Sequence, residues 1–134
     1  LPVDLARAGE YLEPGRVWVA GTNDHLILAG PDQFGICSEP LSLPYRPSID
    51  VFFHSVVQHW RGLTVGVLLT GMGRDGAEGL LAMHRAGAAT LAQDEATSVV
   101  YGMPKAAFNL GAVQKQVSLS KMAAELFSAL RETR

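Results

Sequence analysis

The sequence predicts a layered α/β fold: a parallel, doubly wound (Rossmann-like) sheet with helices on both faces, fronted by an antiparallel β-hairpin or meander. Three observations point there. From residue 47 onward, short apolar runs alternate with segments of helical period. The links between them are short, and such alternation builds parallel sheets with right-handed crossovers. Ahead of residue 47, short β-rich runs are separated by turns that are too brief for a parallel crossover.

Taken in order, Pro14-Gly15 is a turn dipeptide, and Arg16 to Ala20 follows as a strand rich in β-branched and aromatic residues. Gly21 to Asp24 turns the chain into His25–Ala29, and Gly30-Pro31-Asp32 turns it again into a weak strand from Phe34 to Ser38. Glu39 to Pro47 holds three prolines and reads as an irregular loop. Ser48 is a good N-cap, with Asp50 placed where a carboxylate suits the helix dipole. Ile49, Phe52, Phe53, Val56, Val57 and Trp60 then mark one wide apolar helical stripe. Thr64 to Leu69 is a continuous apolar run, as expected for a strand buried on both faces. A glycine-rich turn, Gly71 to Gly76, opens a second helix that Gly87 closes at its C′ position. Ala88 to Gln93 is the next strand, Pro104 starts a short helix ending near Gly111, and Val113 to Val117 is the last strand. Ser118 caps a final helix with Leu119, Met122, Ala123, Leu126, Phe127 and Leu130 on one face. The chain therefore reads as one domain over 1–134, with a β-meander and loop over 1–46 and an α/β part over 47–134.

Composition supports a packed core and excludes several functions. Of 134 residues, 48% are hydrophobic and 18% charged, against about 25% charged in an average globular chain. A net charge of −2 gives no electrostatic reason to expect nucleic acid. The uncharged run Gly62–Gly73 is too short to span a bilayer, so no membrane insertion is expected. Cys37, the single cysteine, cannot form an internal disulfide and reads as buried and inert. No Cys/His spacing resembles a zinc site, and no metal or cofactor is expected. Leu1-Pro2-Val3 lacks an initiator methionine, and the expectation is a chain cut from something longer.

The informative segment is Thr70-Gly71-Met72-Gly73-Arg74-Asp75-Gly76-Ala77-Glu78-Gly79. Gly71, Gly73 and Gly76 spell G-x-G-x-x-G between a strand and a helix, with Asp94-Glu95 roughly 20 residues on, which is the spacing of a dinucleotide-binding module. Against that stands Asp75, because a carboxylate in the turn competes with phosphate for the same N–H groups. From the residues alone Asp75 has three roles open to it: an N-cap paired with Glu78, part of a cofactor loop, or a catalytic acid.

Leu68–Gly79, Ala92–Ala107 and Arg46–Ser55 together resemble the catalytic domain of the chemotaxis protein-glutamate methylesterases of the CheB type, and the segments Leu12–Gly15 and Ala20–Leu26 are similar more loosely. The resemblance implies a cytoplasmic enzyme that hydrolyses γ-glutamyl methyl esters on chemoreceptor helices, and in some members deamidates receptor glutamines. It implies a Ser-His-Asp triad whose acid is Asp75, and an oxyanion hole using the backbone N–H of Met72. It also implies methylated receptor helices as partners and an upstream receiver domain. The family's serine and histidine lie ahead of the region matching this chain, and no G-x-S-x-G or Ser-Gly-Gly turn occurs here. His25, His54, His59 and His84 read as structural, His54 as packed or partner-facing, Ser98 as structural or near the cleft, and Phe52, Phe53, Trp60, Met103 and Phe127 as core. Arg46 and Lys105 are charges that could attract an acidic receptor surface. This chain is thus expected to supply only the triad acid and to be inactive alone, while its full-length parent is a carboxylic ester hydrolase. The competing readings are a Rossmann-type nucleotide-binding module using Gly71, Gly73, Gly76 and Asp94, and a non-catalytic interaction domain.

Overall fold

The structure, a computed structural model, describes residues 1–132 and divides into two compact units, Leu1–Arg61 and the chain from Gly62 onward. In the first unit β1 (Val3–Leu5) pairs in parallel with β2 (Val17–Val19), while β3 (His25–Leu28) and β4 (Phe34–Cys37) form an antiparallel hairpin. The hairpin was legible from its turns, but β2 is not its third strand. The crossover that a parallel pair requires is supplied by residues 6–16, and part of that segment lies against the hairpin. Phe34 N–H donates to Glu10 O at 2.9 Å and Leu12 N–H to Asp32 O at 2.8 Å.

Helix α1 (Ile49–His59) starts where expected: Ser48 has extended φ/ψ and its hydroxyl accepts from Val51 N–H at 3.4 Å. Its inward face is narrower than the apolar stripe. Ser55 and Val56 are buried, whereas Val57 and Trp60 are exposed. Ser55 Oγ accepts from Leu28 N–H at 2.8 Å and donates to Phe52 O at 2.6 Å, so a small polar residue joins helix to hairpin. Arg46 is not a free surface charge either. It donates to Asp24 Oδ1 at 2.6 Å and to the carbonyls of Ser38 and Pro40, which ties down the proline-rich loop.

In the second unit β5 (Val65–Leu68), β6 (Ala89–Gln93) and β7 (Lys115–Val117) make a parallel sheet in the order β5-β6-β7. Helix α2 (Ala77–Arg85) links the first two strands and α3 (Met103–Asn109) the next two. All five residues of β6 are buried, as befits the central strand, whereas in β5 Gly66 and Leu68 are buried and Val65 and Val67 only half-buried. Helix α2 approaches β5 closely at Gly66, where an added Cβ would lie 2.6 Å from Leu80 Cδ1. Leu80 is fully buried, and burying such a side chain is worth about 1.5–3 kcal/mol. Leu91, Val117 and Met122 form a core cluster with Val65 and Val67, which brings in α4 (Met122–Glu132).

That last helix departs from expectation. Ser118 leads into a 3-10 turn, Leu119–Lys121, and makes no side-chain cap bond. The turn takes up Leu119–Lys121 before the α-helix begins, and within the helix the inward positions are Met122 and Ala129, seven apart, while Phe127 is 59% exposed and Leu130 also faces out.

Candidate functional site

The candidate site is built from the loops that leave the carboxyl ends of β5 and β6, the end of a parallel sheet where α/β proteins place working groups. The two loops are laced together by backbone. Gly71 N–H donates to Val100 O at 3.0 Å, and the N–H groups of Gly102 and Met103 donate back to Gly71 O at 3.1 and 2.9 Å. The Thr70 hydroxyl extends this ladder, donating to Val100 O at 3.0 Å and accepting from Val100 N–H at 2.9 Å. Gly71 and Tyr101 form a parallel bridge as a result.

Glycine spacing in this turn therefore has a local cause. A Cβ at Gly102 would sit 2.7 Å from Gly71 O and 3.0 Å from Gly73 N. The close backbone approach that the glycines permit is occupied by the chain's own second loop. Asp94 is likewise engaged, its Oδ1 accepting from Thr97 N–H at 3.0 Å and from the Thr97 hydroxyl at 2.6 Å. These contacts use Gly71, Gly73 and Asp94 for loop structure, in place of the pyrophosphate and ribose roles of a dinucleotide fingerprint.

Asp75 is 7% exposed and lies in the turn directly before α2. It is not the N-cap. Gly76 occupies that position with φ +95°, and the left-handed residue starts the helix one position later than the sequence suggests, which moves Glu78 from N3 to N2. A carboxylate just ahead of a helix N-terminus is favourably placed with respect to the helix dipole. Met72 sits three residues earlier and is 79% exposed, next to Gly71, whose N–H and carbonyl are both bonded to the second loop. The single histidine from Gly62 onward, His84, is in the last turn of α2, roughly 13 Å along the helix axis from the Asp75 end. Ser98 Oγ donates to Asp94 O at 2.7 Å and is part of the loop's own bonding.

Three polar residues at this end were not singled out from sequence: Thr70, Gln93 and Thr97. Gln93 is 1% exposed, its Oε1 accepting from Thr70 N–H at 2.8 Å and its Nε2 donating to Thr97 O at 2.8 Å. A glutamine closing the run Ala89–Ala92, whose one other polar residue is Thr90, was the available signal, because a buried amide must find partners. Among the described residues no group of three or more His, Cys, Asp or Glu is placed to hold a metal ion, and no helix is long and apolar enough to cross a membrane. Cys37 is half-buried, its Sγ donating to Glu39 O at 3.4 Å.

The parallel sheet, the buried carboxylate in its first strand-to-helix loop and the second glycine-bearing loop bonded to that loop define an α/β domain with a polar site at the carboxyl end of its strands. Comparison with known proteins is specific. The family model described as CheB methylesterase matches residues 1–126. A protein-glutamate methylesterase/protein-glutamine glutaminase of Cupriavidus metallidurans is 60% identical over 126 residues, 94% of this chain and 37% of that protein. One of the same description from Burkholderia thailandensis is 54% identical over 134 residues, 100% of this chain and 39% of that protein. The crystal structure of the Thermotoga maritima CheB methylesterase catalytic domain superposes with a TM-score of 0.87 at 29% identity, covering 92% of this chain and 67% of that one. This chain belongs to the CheB methylesterase family. It spans less than two fifths of the length of those curated relatives.

Proposed function

We propose that this chain supplies the acid and the oxyanion side of a Ser-His-Asp ester hydrolase acting on γ-glutamyl methyl esters of chemoreceptor helices in the cytoplasm. The single observation that carries the reading is Asp75: a carboxylate 7% exposed, in the loop at the carboxyl end of β5, in a chain of this family. Its role is to hold the catalytic imidazole in the tautomer that accepts the serine proton, and to stabilise the imidazolium formed during acylation. The backbone N–H of Met72 donates to the oxyanion of the tetrahedral intermediate. Hydrolysis of a receptor glutamine amide uses the same groups, with ammonia as the leaving group in place of methanol. Serine and histidine come from a longer polypeptide that contains this sequence, with the receiver domain common in the family upstream where that polypeptide has one. The 134 residues alone do not turn over ester.

The test is Asp75→Asn in a polypeptide long enough to contain the serine and histidine, assayed by methanol release from methylated receptor. Turnover should fall by about 10⁴-fold, as when the imidazole takes the wrong tautomer, with the unfolding transition little changed. Unchanged turnover would reduce Asp75 to a structural carboxylate and remove the reading.

A further inference from the structure

We propose that Gln93 is a positioning residue: its buried carboxamide fixes the backbone from Thr70 to Met72 and so aims the Met72 N–H at the oxyanion. This rests on the reading of Met72 given above. Gln93 ends the central strand and is 1% exposed. Its two polar atoms serve two different loops. Oε1 accepts from Thr70 N–H at 2.8 Å, after β5, and Nε2 donates to Thr97 O at 2.8 Å and Thr97 Oγ1 at 3.3 Å, after β6. The orientation is single-valued, because a flipped amide would set its NH₂ against the Thr70 N–H and its oxygen against the Thr97 carbonyl. Thr97 is itself fixed, its hydroxyl donating to Asp94 Oδ1 at 2.6 Å and accepting from Leu119 N–H at 3.1 Å. The bonds through Gln93 and Thr97 therefore connect the chain after β5, after β6 and after β7. Thr70 precedes Met72 by two residues, Gly71 between them is bonded to the loop after β6, and the exposed Met72 side chain adds little packing, so the bonds at Thr70 and Gly71 together hold this segment. An oxyanion donor works only if it is aimed before charge develops, so an anchor two residues away acts on turnover more than on substrate binding.

The experiment compares Gln93→Met with Thr90→Val in the extended, active polypeptide. Thr90 is also fully buried on β6, but its hydroxyl bonds Ala112 O at 2.6 Å and Gln114 N–H at 3.0 Å, away from the candidate site. Gln93→Met should lower kcat by about 10- to 100-fold, less than the 10²–10³ lost when such a donor is removed outright, with KM within about twofold of the parent. Amide exchange at Thr70 should accelerate in the same variant. Thr90→Val should lower the melting temperature and leave kcat of the folded protein unchanged. If Gln93→Met does not fold, Gln93→Asn withdraws the same carboxamide by one methylene and carries the same expectations. Unchanged kcat in the Gln93 variant, or an equal loss in Thr90→Val, overturns the proposal while Asp75→Asn still reports on the esterase reading. If Asp75→Asn is fully active, the esterase reading itself fails, and Thr70 exchange still shows whether Gln93 holds that loop.

Discussion

His25 in the first unit and Gln93 in the second are the same physical device with different consequences. Both side chains are almost completely buried, at 0% and 1% exposure, and both spend their polar atoms on backbone groups of other segments. His25 Nδ1 accepts from Ser48 N–H at 3.0 Å and its Nε2 donates to Pro40 O at 3.2 Å. Since one partner can only donate and the other only accept, the neutral Nε2–H tautomer is dictated. The imidazole thus fixes a proline-rich loop to the start of α1, and its work ends in structure. Gln93 fixes a loop that carries Met72 and leads to Asp75, and its work ends at the candidate site. A buried polar side chain is therefore no indication of function until the backbone it holds has been identified.

The sharpest way to separate the two regions is Gly102→Ala. Gly102 has φ −97°, which alanine adopts freely, so the cost lies entirely in the contact of the new Cβ with Gly71 O and Gly73 N. Those are backbone atoms of the candidate site and cannot swing aside as a side chain can. Overpacking of this kind costs about 1–3 kcal/mol. In the extended enzyme, a displaced oxyanion loop should reduce kcat/KM by about 100-fold, the scale of a 1 Å misplacement. Steady-state assay beside urea unfolding checks both. A variant that loses stability but keeps full activity would mean that the two loops do not need their close contact for catalysis.

The corresponding break in the first unit is His25→Leu. It takes the imidazole acceptor from Ser48 N–H, in a residue only 3% exposed, at a cost of about 1–3 kcal/mol, while Pro40 O keeps its bond from Arg46. The unfolding free energy should drop by a few kcal/mol, while kcat of the molecules that remain folded stays at the parent value. A fall in kcat matching that of Gly102→Ala would erase the distinction between the two devices.

Periodicity and turn chemistry made much of the fold legible. Ser48, Gly87 and Pro104 each mark a helix end or start where the structure has one. What failed to show was long-range pairing. The β1–β2 contact joins residues that no local pattern connects, and which side of α4 packs inward is a matter of its neighbours, leaving Phe127 and Leu130 exposed despite their apolar spacing. At the site, Met72 entered through resemblance, and Asp75, which the residues alone left open between cap, cofactor loop and catalytic acid, became the triad acid by the same route. The structure explains why the glycine spacing misleads: the glycines admit a neighbouring backbone. Gln93 was visible only as an amide at the end of a mostly apolar strand, and its partners lie 23 and 4 positions away on separate loops.

The smallest effect should come from Lys115→Ala, on the outer strand of the second unit. Lys115 Nζ donates to Glu125 Oε2 at 2.8 Å, a shorter contact than several of the buried hydrogen bonds discussed above. Distance is a poor guide here, because the lysine side chain is 58% exposed and water competes for both charges. Exposed pairs of this kind contribute about 0–1 kcal/mol and weaken with added salt. Urea unfolding should therefore shift by less than about 1 kcal/mol, and by less still in high salt, with no change in activity in the extended enzyme. A larger, salt-independent loss would show that β7 depends on this pair to stay in register with β6, placing the edge strand beside His25 and Gln93 among the points that hold the backbone.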